Sequence, residues 1–233
     1  MIPARNESEG IGLVLKRISE LVDIDFECLI VVDSPGDSTC EYVNRIQLNS
    51  PEFRIVINTD GPGPATAIRF GIKESLSPIV VVTMADGSDD PKGIPDLVRL
   101  VERGVVIAAA SRYMPGGQQI GAPVFKGNLS KFAGKSLWLF RRVGTRDATN
   151  SFKAYNKDFI EKVGIESQYG FEIALELVAK AKRKRLPVAE LPTIWLERNF
   201  GNSNFKLWRW LPRYIRWYLY AFGIGRGAPK NVY

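Results

Sequence analysis

The sequence contains no histidine and only two cysteines, and these absences exclude several kinds of active site. Without imidazole there is no serine–histidine or cysteine–histidine nucleophile pair and no zinc site built on histidine. Any catalysis must therefore use carboxylates, cations, backbone dipoles or a substrate that is already a good nucleophile. Two cysteines, Cys28 and Cys40, are too few for a disulfide framework, which favours a reducing compartment.

Long apolar runs are also missing. No hydrophobic segment approaches the roughly 20 residues that a membrane-spanning helix needs, so the sequence predicts no transmembrane segment. In other respects, 233 residues with 45% hydrophobic and 24% charged residues are typical of one globular domain. The formal net charge is +7, and no acidic residue follows Glu197. We predict one main domain over residues 1–204 and a basic appendage over residues 205–233.

Apolar strand-like runs alternate with amphipathic helical stretches through the first half of the chain. The predicted strands are 28–33, 53–58, 78–86 and 104–112, and the predicted helices are 8–22, 39–48, one that follows Gly63, and 91–102. Strands separated by helices predict an α/β fold with a parallel sheet covered on both faces. Two longer helices, 125–142 and 169–185, and an extended piece, 188–197, are predicted to follow.

Polar residues stand at the carboxyl ends of these strands, where open α/β sheets bind ligands. They are Asp33, Asp60 with Gly61, Asp86, and Ser111 with Arg112. All four strand ends are expected to face one crevice, although each residue taken alone is more often a helix cap or a turn.

The segment VVVTMADGSDDP, residues 80–91, places three carboxylates at the end of a buried strand. Crowded carboxylates repel one another, so Asp86, Asp89 and Asp90 need water or a cation among them. The alternative is that Asp89 and Asp90 cap the helix that follows Pro91.

Several sequence blocks occur in a fixed order along the chain. They are IPARNESEGI (2–11), VVDSPGDST (31–39), MADGSDDP (84–91), SRYMPGG (111–117) and DATNSFKAY (147–155). In this order they resemble the inverting family 2 glycosyltransferases with a GT-A fold, and within them the polyprenyl-phosphate hexose synthases similar to dolichyl-phosphate mannose synthase. The match covers nearly the whole chain, so it is more specific than any single pattern. It implies a Rossmann-like, mostly parallel sheet flanked by helices.

The resemblance implies a nucleotide-sugar donor, GDP- or UDP-linked, and a divalent cation, Mg²⁺ or Mn²⁺, that offsets the charge of the leaving diphosphate. It implies that Asp86 is the principal metal ligand and a catalytic residue, and that Asp89 is a second metal ligand. The residues implied in donor nucleotide binding are Pro3, Ala4, Arg5, Glu7, Asp33, Asp60 and Asp86.

The implied acceptor is a polyprenyl phosphate. The implied catalytic cations are Arg112, Lys126 and Arg198, and phosphate binding is implied for these three with Ser130, Ser203 and Lys206. A phosphate monoester, with a second pKa near ~6, is already largely dianionic at neutral pH and needs no general base. The lack of histidine fits such an acceptor. For a saccharide hydroxyl, Asp147 or Asp89 is the candidate base, although Asp147 is at least as well explained as the cap of a helix over 148–155.

The chain departs from the family pattern at three positions. Met84 replaces the first aspartate of the D-x-D motif, Ser34 replaces the second aspartate of V-D-D, and Lys153 replaces the arginine of F-R-A-Y. Only two residues precede Pro3, where the family has a longer first strand. Because Met84 replaces a metal-binding aspartate, a nucleotide-sugar-binding domain that has lost catalysis is an alternative hypothesis.

The segment 205–220, FKLWRWLPRYIRWYLY, separates cations from aromatic and aliphatic residues, as in a helix that lies in a membrane interface. Pro212 is predicted to start the second of two short helices. We expect contact with an anionic membrane surface, with the protein cytoplasmic and peripheral on the inner face of the cell membrane. The alternatives are packing on its own domain or on a second copy, as a homo-oligomer. No nucleic-acid motif is present, and no nucleic-acid partner is expected.

Overall fold

The computed structural model describes residues 1–45, 52–121, 124–197 and 207–225. The helices in these ranges are α1 (Ile11–Leu21), α2 (Ser38–Arg45), α3 (Pro64–Glu74), α4 (Ile94–Glu102), α5 (Val124–Ser136), α6 (Lys157–Val163), α7 (Ile173–Arg183) and α8 (Leu207–Ala221). The strands are β1 (Ile2–Pro3), β2 (Cys28–Val32), β3 (Phe53–Ile57), β4 (Ile79–Val82), β5 (Ile107–Ser111), β6 (Gln118–Ile120), β7 (Lys153–Asn156), β8 (Val188–Pro192) and β9 (Ile194–Leu196). A 3-10 turn, Pro91–Gly93, precedes α4, and a π-helical segment, Leu137–Arg141, continues α5.

The amino-terminal sheet is parallel, in the order β1-β2-β3. All five residues of its middle strand, β2, are buried. Met1 joins this sheet to β4, because its amino group donates to the Val81 carbonyl at 2.7 Å and its carbonyl accepts from the Thr83 amide at 3.2 Å. The carboxyl ends of β1, β2 and β4 therefore meet at one edge.

The second sheet has the order β4-β7-β5-β8. β5 and β8 are parallel, whereas β7 runs antiparallel to both of its neighbours. The helix considered over residues 148–155 is therefore wrong. Phe152, Ala154 and Tyr155 are buried together with Lys153, so this short segment is a central strand with both faces covered.

Helices cover both faces of the sheets. One core contains Ile11 and Leu15 of α1 and Leu97 of α4, packed on β2. The other contains Ile68 of α3 and Val178 of α7. The prediction of an α/β fold with a mostly parallel, helix-covered sheet is confirmed, with β7 as the exception.

α8 is one continuous helix with Pro212 inside it, so the prediction of two short helices is wrong. A proline inside a helix removes one backbone hydrogen bond. The face of α8 that carries Trp217 and Ala221 is buried with residues of α7 in one core, and this burial offsets the loss. This part of the tail therefore packs on its own domain. Among the described residues, no helix has both the length and the hydrophobicity to span a bilayer.

Candidate active site

A cavity of about 1170 Å³ opens beyond the carboxyl ends of β1, β2 and β4. The predicted site residues that line it are Pro3, Ala4, Arg5, Glu7, Asp33, Asp86, Arg112 and Ser130. Asp60 is exposed and is not part of this lining, and its backbone amide donates to the Asn58 side chain. The structure therefore brings three of the four predicted strand ends together.

Two buried residues that were not predicted as site residues hold the 3–7 segment at the cavity wall. The carboxylate of Asp37 accepts from the Asn6 amide at 3.0 Å and also from the Thr39 amide at 2.9 Å. The Thr39 hydroxyl accepts from the Glu7 amide at 3.0 Å. Both residues lie in the VVDSPGDST block, and their position in this block is the sequence feature from which their role near the site could have been predicted. They shape the wall that Asp33 shares.

Asp33 is held by the loop that leads into α3. Its carboxylate accepts from the Asn58 side chain at 2.9 Å and from the Gly63 amide at 3.0 Å. Gly63 has a φ of 125°, a backbone conformation that favours glycine. The carboxylate is thus fixed at the end of β2, and its contact with a nucleotide stays a prediction.

The three carboxylates of residues 80–91 have three different environments. Asp86 lines the cavity, and its carboxylate accepts from the Ser88 amide at 3.1 Å. Asp89 is buried and accepts from the Thr83 hydroxyl and the Met84 amide, both at 3.1 Å. Asp90 accepts from the Lys92 amide at the start of the 3-10 turn and pairs with Arg17 at 3.1 Å. The capping alternative is thereby confirmed for Asp90.

Asp89 faces the interior of its loop. Burial, and then the charge of Asp86, raise its pKa to about 7. Its Oδ1 is buried without a hydrogen-bond partner among the described residues. Its role as a metal ligand stays a prediction, and it requires the side chain to turn toward the cavity.

The cavity fits a divalent cation that is shared with a phosphorylated ligand. Within the described ranges, no three Asp, Glu, Cys or His side chains cluster as a complete metal site. Asp86 supplies one carboxylate, and Mg²⁺ commonly takes only one or two protein carboxylates when substrate phosphates supply other oxygens. The thioether of Met84, which also lines the cavity, is too soft a ligand for Mg²⁺. Asp86 is therefore the residue that would hold the cation.

Arg112 is anchored by a buried carboxylate. Its Nε and Nη2 donate to Asp147 at 2.7 and 2.9 Å, and its backbone amide donates at 3.0 Å. Nη2 also donates to the Ser130 hydroxyl at 3.3 Å, and Ser130 lies 2.6 Å from the Thr149 hydroxyl. A guanidinium and two hydroxyls thus line one wall, a combination suited to binding phosphate. Thr149 was not predicted, although it lies in the DATNSFKAY block.

Asp147 is poorly placed to act as a general base. Burial alone would raise its pKa, but the charge and hydrogen bonds of Arg112, with the charge of Lys153, outweigh burial and hold the pKa below its ordinary value. The side chain has no exposed surface and is not part of the cavity lining. Gly134 allows this arrangement, since a Cβ there would collide with the Arg146 carbonyl where α5 crosses this loop. Asp147 instead orients Arg112.

Lys153 lies beneath this pair and is also fully buried. Its ammonium group donates to the backbone carbonyls of Asp147 and Asn150. Burial lowers its pKa from 10.5 to about 7, although the charge of Asp147 opposes this shift. The arginine-to-lysine departure from the family pattern therefore places a titratable group under the site.

We expect the stability of the protein to rise with pH because of Lys153. Between its folded pKa of about 7 and its ordinary value of 10.5, the unfolded chain holds a proton that the folded chain has lost. The free energy of unfolding then increases by at most ~1.4 kcal/mol per pH unit. Urea denaturation from pH 7 to 10 measures the free energy of unfolding of wild type and of Lys153→Met. As the pH rises, this free energy should increase more for wild type than for the variant. Lys184→Met, at an exposed lysine, is the control, and parallel curves for wild type and Lys153→Met would contradict the assignment.

Four of the predicted phosphate ligands fall wholly or partly outside the described residues. Lys126 lies in the first turn of α5, one helical turn before Ser130, and its side chain is outside the described part of the chain. Arg198, Ser203 and Lys206 also lie outside the described residues.

α8 supplies the apolar end of the cavity. Leu211, Tyr214 and Tyr218, which belong to the aromatic and aliphatic residues of segment 205–220, line the cavity. The Tyr218 hydroxyl is 2.9 Å from that of Ser136 in α5. Arg213 stacks on the Tyr169 ring at 4.0 Å. The cavity thus has a polar end at the strands and an aromatic end at α8.

The Glycosyl transferase family 2 profile matches residues 1–164. A dolichol-phosphate mannosyltransferase from Pyrococcus furiosus is 30% identical over 210 residues, which are 88% of this chain and 58% of that protein. A polyprenol monophosphomannose synthase from Mycolicibacterium smegmatis is 28% identical over 211 residues, 88% of this chain and 79% of that protein. The chain therefore spans less than two thirds of the Pyrococcus relative.

Solved structures share the fold. Glucosyl-3-phosphoglycerate synthase from Mycobacterium tuberculosis, crystallised with Mn²⁺, uridine diphosphate and glucosyl-3-phosphoglycerate, has a TM-score of 0.70 at 19% identity, covering 97% of this chain and 80% of that chain. The same enzyme with Mg²⁺ and uridine diphosphate has a TM-score of 0.67 at 19% identity, covering 97% and 79%. The GT-A-like fold prediction is confirmed. Because the profile covers well over half of the residues, the chain belongs to glycosyl transferase family 2.

Proposed function

We propose that this protein is an inverting hexosyltransferase that moves a hexose from a nucleotide-sugar to a polyprenyl phosphate. The observation that carries the proposal is the wall formed by Arg112, Ser130 and Thr149, which offers a cation and two hydroxyls to a phosphate. Neither candidate base faces the cavity: Asp147 is committed to Arg112, and Asp89 is buried against Thr83 and Met84. This arrangement favours an acceptor that needs no base. The names of the two curated relatives support the same acceptor class.

The donor occupies the polar end of the cavity in this proposal. The 3–7 segment and Asp33 line the place assigned to the nucleotide, and Asp86 holds the divalent cation. When bound, the cation offsets the charge that develops on the leaving diphosphate. The crystals of the Mycobacterium tuberculosis enzyme, which contain Mn²⁺ or Mg²⁺ with uridine diphosphate, support the use of a divalent cation together with a nucleotide.

The acceptor phosphate binds at Arg112 and Ser130 and directs an oxygen to the anomeric carbon. The new carbon–oxygen bond forms on the face opposite to the bond that breaks, and the electron pair leaves with the nucleoside diphosphate. No proton has to move, because the acceptor is already anionic. The further cations and hydroxyl assigned to phosphate binding are Lys126, Arg198, Lys206 and Ser203.

An exposed apolar patch at the aromatic end supports a lipid substrate. We define this patch as Phe132, Trp138, Leu139, Phe140, Ile215 and Leu219, all exposed. Hydrogen bonds from α5 and the π-helical segment to α8 hold its parts together. Phe132 and Ile215 also line the cavity, so the patch continues into the site. Exposed Lys131, Lys135 and Arg142 flank it, which suits an anionic bilayer surface, assigned here to the inner face of the cell membrane.

Replacing Leu139 and Phe140 together by glutamine is expected to release the protein from anionic vesicles. Each large apolar side chain contributes ~1.5–3 kcal/mol when buried, so transfer to long-chain polyprenyl phosphate should fall at least ~10-fold. Transfer to a short, water-soluble phosphate acceptor should be unchanged. Leu76→Gln is the control, because Leu76 is 85% exposed and lies before β4, away from the cavity. Unchanged co-sedimentation of the double variant would contradict the membrane assignment.

The function is tested with a radiolabelled donor and a membrane lipid extract. We expect label in a butanol-extractable lipid from which mild acid releases the sugar. Label found only in water-soluble glycan would show a hydroxyl acceptor. Donor binding without turnover, under every lipid and metal supplied, would show a domain that has lost catalysis.

A further inference from the structure

The small sheet of β6 and β9 presents a second group of side chains to the cavity. The two strands are parallel, and Gln119 pairs with Trp195. Side chains alternate along a strand, so these two line the cavity while Ile194 and Leu196 are exposed. Glu197, two residues after Trp195, lines the cavity as well. An indole, an amide and a carboxylate therefore share one wall.

This wall adjoins both ends of the proposed reaction. The Leu196 amide donates to the Ser88 carbonyl at 3.1 Å, which joins β9 to the loop that carries Asp86. On the other side, the Trp195 ring lies 5.9 Å from the guanidinium carbon of Arg112. Trp195 therefore contacts the region between the carboxylate assigned to the donor diphosphate and the cation assigned to the acceptor phosphate.

The transferred sugar has to pass through this region. In the transition state its anomeric carbon lies between the leaving diphosphate oxygen and the incoming phosphate oxygen. A hexose has apolar C–H faces that pack on an aromatic ring, and hydroxyls that bond to amides and carboxylates. Positive charge develops on the sugar ring as the bond to the leaving group breaks, and the face of a tryptophan attracts positive charge.

We propose that Trp195, Gln119 and Glu197 form the hexose subsite, with Trp195 as the residue that recognises the ring of the transferred sugar. This inference rests on the proposed function. The Tyr113 hydroxyl donates to Oε1 of Gln119 at 3.0 Å, which fixes the amide and leaves its nitrogen as the donor for a sugar hydroxyl. Glu197 supplies the complementary acceptor.

Equilibrium binding separates recognition of the sugar from recognition of the nucleotide. Calorimetry with Mn²⁺ compares GDP with GDP-mannose and UDP with UDP-glucose on wild type and Trp195→Ala. For the nucleotide that wild type binds, we expect the Kd of the nucleotide-sugar, relative to that of the nucleoside diphosphate, to rise about tenfold in Trp195→Ala. The Kd of the nucleoside diphosphate itself should stay within about twofold.

Two further variants control this measurement. Ile194→Ala truncates the same strand on its exposed face and should leave the ratio unchanged. Trp195→Phe keeps an aromatic ring and should restore most of the wild-type ratio. If Trp195→Ala does not fold, Glu197→Gln is used in its place, with an expected rise of at least about threefold.

The outcomes distinguish the two proposals. A ratio that does not change in Trp195→Ala, or that changes equally in Ile194→Ala, overturns the hexose subsite and leaves the proposed function standing. Wild type that binds neither nucleotide-sugar overturns the proposed function and the subsite with it.

Discussion

Replacing Asp86 by asparagine is expected to lower turnover at least ~100-fold, the scale of losing one well-placed electrostatic stabiliser. Asp86 is the carboxylate of residues 80–91 that lines the cavity, whereas Asp89 is buried and Asp90 caps a turn. Asparagine keeps the size and the oxygen that accepts from Ser88, but it removes the charge that is proposed to hold a cation. The measurement is kcat at saturating donor and Mn²⁺, with thermal unfolding to verify that the variant folds.

Asp90→Asn is the matched control for this experiment. The side chain of Asp90 accepts from the Lys92 amide, and an asparagine oxygen accepts in the same way. The lost ion pair with Arg17 is partly exposed and contributes little. Turnover should therefore remain within about twofold of wild type. Equal and small effects of the two substitutions, in folded protein, would refute the assignment of the metal to Asp86.

Replacing Asp147 by asparagine is expected to destabilise the protein by ~3–5 kcal/mol and to lower turnover. The substitution leaves the guanidinium of Arg112, whose side chain is 10% exposed, without its counter-charge. Urea denaturation measures the loss. Asp96→Asn removes the carboxylate of an exposed pair with Arg99 at 2.8 Å and should cost no more than ~1 kcal/mol.

A second substitution shows whether the uncompensated charge causes this loss. Arg112→Met in the Asp147→Asn background removes the buried cation and should recover part of the stability. Turnover should stay low, because the guanidinium proposed to bind the acceptor phosphate is missing. If Asp147→Asn alone were as stable as wild type, the account of Asp147 as the residue that orients Arg112 would be wrong.

The position of the cavity could be predicted from the sequence, because parallel strands end at the same edge of a sheet. Asp33, Asp86 and Arg112 follow three separate strands, and all line the same cavity. The hydrogen-bond partners of these residues could not be predicted from the sequence, because hydrogen bonds between distant segments leave no local sequence pattern. Asp147 and Arg112 are 35 residues apart, and no periodicity connects them. The orientation of the Asp89 side chain could not be predicted either, because the spacing of carboxylates in the sequence does not show that Asp89 accepts from the Thr83 hydroxyl.

The continuity of α8 is a similar case. Proline has a strong local preference against helix interiors, and the prediction of a break at Pro212 used that preference. The burial of Trp217 and Ala221 is a tertiary effect that outweighs it, and no single stretch of sequence contains that information. The strand β7 escaped prediction because four residues are too few to show a period.

The position of β7 also sets an order of assembly. β4 and β5 are synthesised before β7, but they do not pair with each other. In the sheet β7 lies between them, so neither can form this pairing until residues 153–156 have been synthesised. Until β7 arrives, two apolar strands present unpaired edges to the surroundings, a state that favours aggregation. A nascent chain that has emerged only through residue 150 therefore cannot close its central sheet. Substitutions in residues 153–156 that weaken this pairing should therefore lower the yield of folded protein before they lower catalysis.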